Sequence, residues 1–164
     1  MDYIINEMKP IDWQQVSEIY LAGIKTELAT FQQDVPTFEE WDKGHSKNCR
    51  FVARAGEKLL GWVALSPVSG RCVYAGVAEV SVYIDANHKE KGIGTALLKE
   101  VIKRSEEEGY WTLQSGIIKE NIASRELHKK CGFREIGYRE RVGKMFNGKW
   151  HDVVLVERRS NIVG

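Results

Sequence analysis

The sequence predicts an α/β (α+β) fold in one domain, residues 1–164: a mixed, mostly antiparallel central sheet flanked by helices on both faces. Three observations carry this. Strand-patterned runs come in adjacent pairs, at 50–68 and 133–160, with turn residues between them, which favours antiparallel hairpins. Helix-patterned runs alternate with the strands, in the order β-α-α-β-β-β-α-β-α-β-β. The 164 residues contain no linker, repeat or low-complexity segment, so the length suits a single folding unit.

Each element has a local reason. Tyr3–Ile5 reads as a short first strand. A helix follows from Asp12, with Gln15 as its expected capping-box partner and with Trp13, Val16 and Tyr20 on one face. Pro36 ends the next loop, and Thr37 with Glu40 forms a second capping box. Arg50–Val68 is a hairpin around the turn Ala55–Lys58. The next strand places Val80, Val82 and Ile84 on one face and Glu79, Ser81 and Tyr83 on the other. Ile93, Ala96, Leu97, Val101 and Ile102 keep helical spacing until Gly109. Tyr110–Ile118 is a strand, and a short helix runs from its cap at Asn121 to Gly132. Two final strands, 133–143 and 149–160, flank Asn147–Gly148, which marks a tight hairpin turn unless Lys144 to Phe146 lengthen the loop.

Composition excludes several classes of function. A formal net charge of +1 with interleaved signs speaks against nucleic acid as a partner. No apolar run approaches the ~20 residues of a membrane span, so no membrane partner is expected. Cys49, Cys72 and Cys131 lack metal-ligand spacing and are odd in number, which suggests a reducing, cytoplasmic setting and no metal. The first residues show no charged leader followed by an apolar run, so no signal peptide is expected.

The stretch HKEKGIGTALLKE, His88–Glu100, places two glycines at a helix start behind two lysines. Glycine there costs about 1 kcal/mol relative to alanine, which suggests a backbone that must be bare. A helix N-terminus leaves amides unpaired and carries partial positive charge, so it suits an anion. Lys89 and Lys91 add charge nearby. A P-loop requires a lysine after its second glycine, and a dinucleotide fingerprint requires a third glycine where Leu97 stands. What remains is the pyrophosphate loop of an acyl-coenzyme A binder, or a tight loop without a ligand.

Val82–Leu98 resembles the coenzyme A loop of the GNAT superfamily of N-acetyltransferases, whose pattern is Arg or Gln, two residues, Gly, one residue, Gly or Ala. This chain has Lys89 in the first place. Asn121–Phe133 resembles the second signature of that superfamily, an Asn-led helix closing with Gly-Phe. Thr26–Trp41, Ala78–Ile84 and Gly148–Arg159 resemble the phosphinothricin and methionine-sulfoximine acetyltransferase branch.

The resemblance implies a GNAT-like fold, acetyl-CoA as acetyl donor, no metal, and a small amino acid or analogue as the amine partner. Transfer would be direct, in a ternary complex, and dimeric relatives imply a homodimer. Glu79 becomes the general-base candidate, because a carboxylate in an apolar strand is partly desolvated and titrates higher. The residues alone favour a glutamate on the polar face of a half-exposed strand, because strands commonly alternate. The backbone of Val82, Tyr83 and Ile84 would pair with the pantetheine arm. Glu90, Lys91, Gly92, Ile93, Gly94 and Thr95 would hold the pyrophosphate, and Asn121 would reach the pantetheine or phosphate region. His128 would serve the departing thiolate or pack beside the cofactor. Arg71 would hold the acceptor's carboxylate, as a planar fork matches it. Thr30 and Phe31 would form the other wall, and Lys144 would reach a neighbouring subunit's site. Two rival functions stay open: a protein or polyamine acetyltransferase, and a non-catalytic coenzyme A-binding sensor.

Overall fold

In the computed structural model, which describes residues 2–164, the strands and helices follow the predicted order. They are β1 (Ile4–Glu7), α1 (Trp13–Lys25), α2 (Phe38–Gly44), β2 (Arg50–Ala55), β3 (Lys58–Pro67), β4 (Val77–Ile84), α3 (Ile93–Glu107), β5 (Thr112–Ile118), α4 (Ile122–Lys130), β6 (Arg134–Lys144) and β7 (Trp150–Arg159). The strands make one seven-stranded sheet in the order β1-β2-β3-β4-β5-β7-β6. Every neighbouring pair is antiparallel except β4 and β5, which run parallel with α3 as the crossover between them.

Alternation sorts the strands' side chains onto two faces, and helices cover both. Phe51, Val63, Leu65 and Val80 pack under Ile93, Leu97, Leu98 and Val101 of α3. Val52, Trp62 and Ala64 pack on the opposite face under Val16, Ile19, Tyr20 and Ile24 of α1 and Trp41 of α2. Burying one such aliphatic side chain contributes roughly 1.5–3 kcal/mol, so each helix is held mainly by its apolar face.

The expected capping box at Asp12 and Gln15 does not form. A 3-10 turn over Pro10–Asp12 leads into α1, so the Asp12 backbone is already helical, at φ −77° and ψ −13°. A cap needs extended backbone there. The buried Asp12 carboxylate instead accepts from the Lys9 amide at 2.9 Å and from the Arg54 guanidinium at 2.9 and 3.1 Å. Gln15 reaches the β2–β3 turn, accepting from the Leu59 amide and donating to the Glu57 carbonyl, both at 2.9 Å. The box at Thr37 and Glu40 forms as expected, with reciprocal bonds of 3.2 and 3.1 Å. The first strand lies slightly later than predicted, because Ile4–Glu7 is the part that pairs with Phe51–Arg54. The β6–β7 connection is longer than a two-residue turn, and the Met145 amide closes it on the Lys149 carbonyl at 2.7 Å.

Candidate active site

The strands β4 and β5 pair only at Val77–Glu79 with Thr112–Gln114. Beyond Glu79 they part, while β4 remains paired with β3 as far as Ile84. The β4 edge from Val80 to Ile84 is therefore open towards β5, touched from that side by a Ser115 hydroxyl that donates to the Val80 carbonyl at 3.4 Å. Between the strands lies a cleft of about 1080 Å³. Residues 80–84 form one wall and residues 115–118 the other.

The N-terminus of α3 enters the same cleft. Glu90 and Gly92 both have left-handed backbone, at φ 64° and 79°. The first amide of α3 with a partner inside the helix is that of Ala96, which donates to Gly92 at 3.0 Å. The amides of Ile93, Gly94 and Thr95 precede it and have no acceptor within the helix. Glu90, Gly92, Ile93, Gly94 and Thr95 all line the cleft, whereas Lys91 is exposed and is not part of its lining.

Glu79 stands where the strands diverge. It is exposed to the cleft, yet enough protein surrounds its carboxyl for desolvation alone to raise its pKa above the ordinary value. Tyr83, on the same face, lines the cleft and stacks on Trp62 at 5.0 Å between ring centroids. Burial raises its phenol pKa far above the ordinary value, so it stays protonated.

A sequence model of the acetyltransferase (GNAT) family matches residues 12–133. The chain belongs to this family. A Bacillus subtilis (strain 168) protein provisionally named a phosphinothricin acetyltransferase is 30% identical over 152 residues, covering 90% of this chain and 93% of that one. The phosphinothricin N-acetyltransferase of Alcaligenes faecalis is 32% identical over 157 residues, 92% of this chain and 79% of its own. A GNAT superfamily phosphinothricin acetyltransferase from Sinorhizobium meliloti, solved in complex with acetyl-CoA, has a TM-score of 0.86 at 24% identity, over 97% of this chain and 89% of that one. At that identity the likeness is one of fold.

In this GNAT chain the remaining candidates divide. Thr30, Phe31, Asn121 and His128 line the cleft. Asn121 also caps α4, accepting from the Ser124 amide at 3.2 Å, and donates to the Leu28 carbonyl at 3.4 Å. His128 is almost fully buried, and its Nδ1 lies 2.7 Å from the Ser124 carbonyl. Its Nε2 is buried without a partner, and burial lowers its pKa, so the ring is neutral. Arg71 and Lys144 lie outside the cleft. Arg71 is exposed over the Tyr74 ring at 5.8 Å, and Lys144 over Trp150 at 5.7 Å.

The sequence reading missed part of the lining. His88, which sequence reasoning did not single out, is buried in the cleft wall, with Nδ1 2.6 Å from Asp85. Lys129 and Lys130 join Lys89 along the cleft, and residues 115–118 supply its far wall. The lysine pair behind the Asn121 cap was the available signal. Among the described residues no three His, Cys, Asp or Glu side chains are grouped to hold a metal ion, and no helix is long and apolar enough to cross a membrane.

Proposed function

We propose that this GNAT enzyme moves the acetyl group of acetyl-CoA to the amino group of a small amino acid or analogue, phosphinothricin- or methionine-sulfoximine-like, by direct transfer in a ternary complex. One observation carries the reading: the open β4 edge, the unpaired amides of α3 and the carboxylate of Glu79 face a single cleft. The residues fit an acyl-CoA. The Ile93, Gly94 and Thr95 amides suit its diphosphate, with Lys89, Lys129 and Lys130 alongside. The free edge at Val82–Ile84 suits the amide-bearing pantetheine arm, as an added strand would pair.

Acetyl-CoA supplies an activated thioester. Glu79 accepts the ammonium proton of the acceptor, directly or through a water, and its raised pKa suits it to that transfer. The Val82 amide donates to the carbonyl oxygen as negative charge develops. His128 holds the α4 wall and gives no proton to the departing thiolate, because its one N–H is engaged by Ser124. Asn121 sets the start of that wall. Arg71 has no carboxylate partner within ion-pair distance among the described residues, and it stands on the segment entering β4. We assign it to the acceptor's carboxylate. Lys144 has no role within its own subunit's cleft and acts only across a homodimer. Three free thiols accord with a cytoplasmic setting.

The test is thiol release from acetyl-CoA over a panel of amino acids, phosphinothricin, methionine sulfoximine, polyamines and peptides. Turnover of an amino acid or analogue is expected. Turnover of polyamines or peptides alone would replace the acceptor. Acetyl-CoA binding with no thiol release from any amine would leave a sensor.

A further inference from the structure

Phe31 hangs on the irregular segment between α1 and α2 and lines the cleft, so something else must set where its ring stands. The far end of the sheet supplies that support. A β-carbon on Gly143 of β6 would lie 2.3 Å from Cζ of Phe31, 2.5 Å from Cε1 and 2.7 Å from Cε2. The ring therefore lies directly on the bare Cα. His151, the β7 partner of Gly143, closes the side, with its centroid 6.2 Å from that of Phe31. Asn147, in the loop between those strands, donates to the Glu27 carboxylate at 2.5 Å and ties the segment to the same hairpin.

We propose that Gly143 is a specificity-determining residue that acts through Phe31. Its missing side chain lets the ring withdraw onto β6 and so sets the room left for the acceptor's side chain. This rests on the reading above, in which the acceptor is an amino acid seated beside Phe31. Carbon atoms in ordinary contact sit about 3.5–4 Å apart, so any β-carbon at 143 pushes the ring away by about 1 Å or more. The free volume beside the ring is the cleft, and the ring moves into it. Long side chains lose room before short ones do.

The experiment compares the wild type, Gly143→Ala, Phe31→Ala and the double variant. Thiol release is followed with alanine, methionine and methionine sulfoximine as acceptors, and acetyl-CoA affinity is measured by calorimetry. Gly143→Ala is expected to raise KM for the two longer acceptors about tenfold relative to alanine, the scale of a lost methylene's space in a pocket. Acetyl-CoA affinity should not change. In the Phe31→Ala background the same substitution should leave the preference alone, because no ring remains to be displaced. An equal KM change for short and long acceptors, or the same shift without the ring, overturns the proposal. If Gly143→Ala fails to fold, Phe31→Ala alone decides: preference must move towards longer side chains. A wild type that turns over no amino acid removes the acceptor reading and this inference together, an outcome distinct from an active wild type whose preference ignores position 143.

Discussion

Nδ1 of His128 lies 2.7 Å from the carbonyl oxygen of Ser124. A carbonyl only accepts, so the ring's hydrogen is on Nδ1 and Nε2 is a bare acceptor. Burial holds the imidazole pKa below its ordinary value. An unfolded chain takes up this proton near pH 6.5, and the folded chain takes it up only at lower pH. Between those two values the unfolded state binds more protons, so stability must fall as pH drops through that window. His45, also depressed by burial, adds to the slope. The melting temperature of His128→Asn should fall less steeply than that of the wild type between about pH 7 and 5. Identical slopes would mean that the ring is already charged in the folded protein.

Glu79 carries the second prediction. Glu79→Gln should lower turnover about 10²–10⁴-fold, the usual contribution of a positioned general base. Acetyl-CoA affinity should hold, since no cofactor contact is assigned to that side chain. The active form is the carboxylate, so the rate falls as pH falls through the raised pKa, and the acid limb lies above the ordinary carboxylate range. The Gln variant's residual rate should lack that limb. A pH–rate profile with the limb intact in the variant would move the base elsewhere.

The two loop glycines serve different needs. Gly92 caps α3 at φ +79°, with nothing within 4 Å of an added β-carbon, so alanine there meets backbone strain alone. Gly94 has ordinary backbone, and its β-carbon would meet Leu127 at 3.1 Å, a flexible side chain able to give way. Gly92→Ala should lower stability by about 1–2 kcal/mol and weaken acetyl-CoA, while Gly94→Ala should cost less stability. Urea unfolding and calorimetry measure both. The reverse order of stabilities would contradict the left-handed turn.

Asp12 separates a cap from an ion pair. Serine is as good a cap as aspartate but cannot pair with Arg54. Because the buried carboxylate serves Arg54 and Lys9, Asp12→Ser and Asp12→Ala should destabilise alike, by about 2 kcal/mol. A serine variant as stable as the wild type would restore the cap.

The caps at Thr37 and Asn121, the helical face of Val16 and Tyr20, and the glycine turn before α3 could all be read along the chain. Each depends on residues within one or two turns of one another, where spacing alone dictates geometry. Asp12 shows the limit of such reading: the preceding 3-10 turn set its backbone, and Arg54 claimed its carboxylate.

The sequence by itself determined the order of elements, the two covered faces of the sheet and the amide-rich entry to α3, because backbone preference and hydrophobic period act locally. Tertiary structure alone decided that β4 and β5 separate after Glu79, that Arg71 stays outside the cleft, and that Phe31 lies on Gly143. Those facts are distances between segments far apart in the chain. Such distances come from the packing of whole faces and the register of strands, which no short window of sequence encodes.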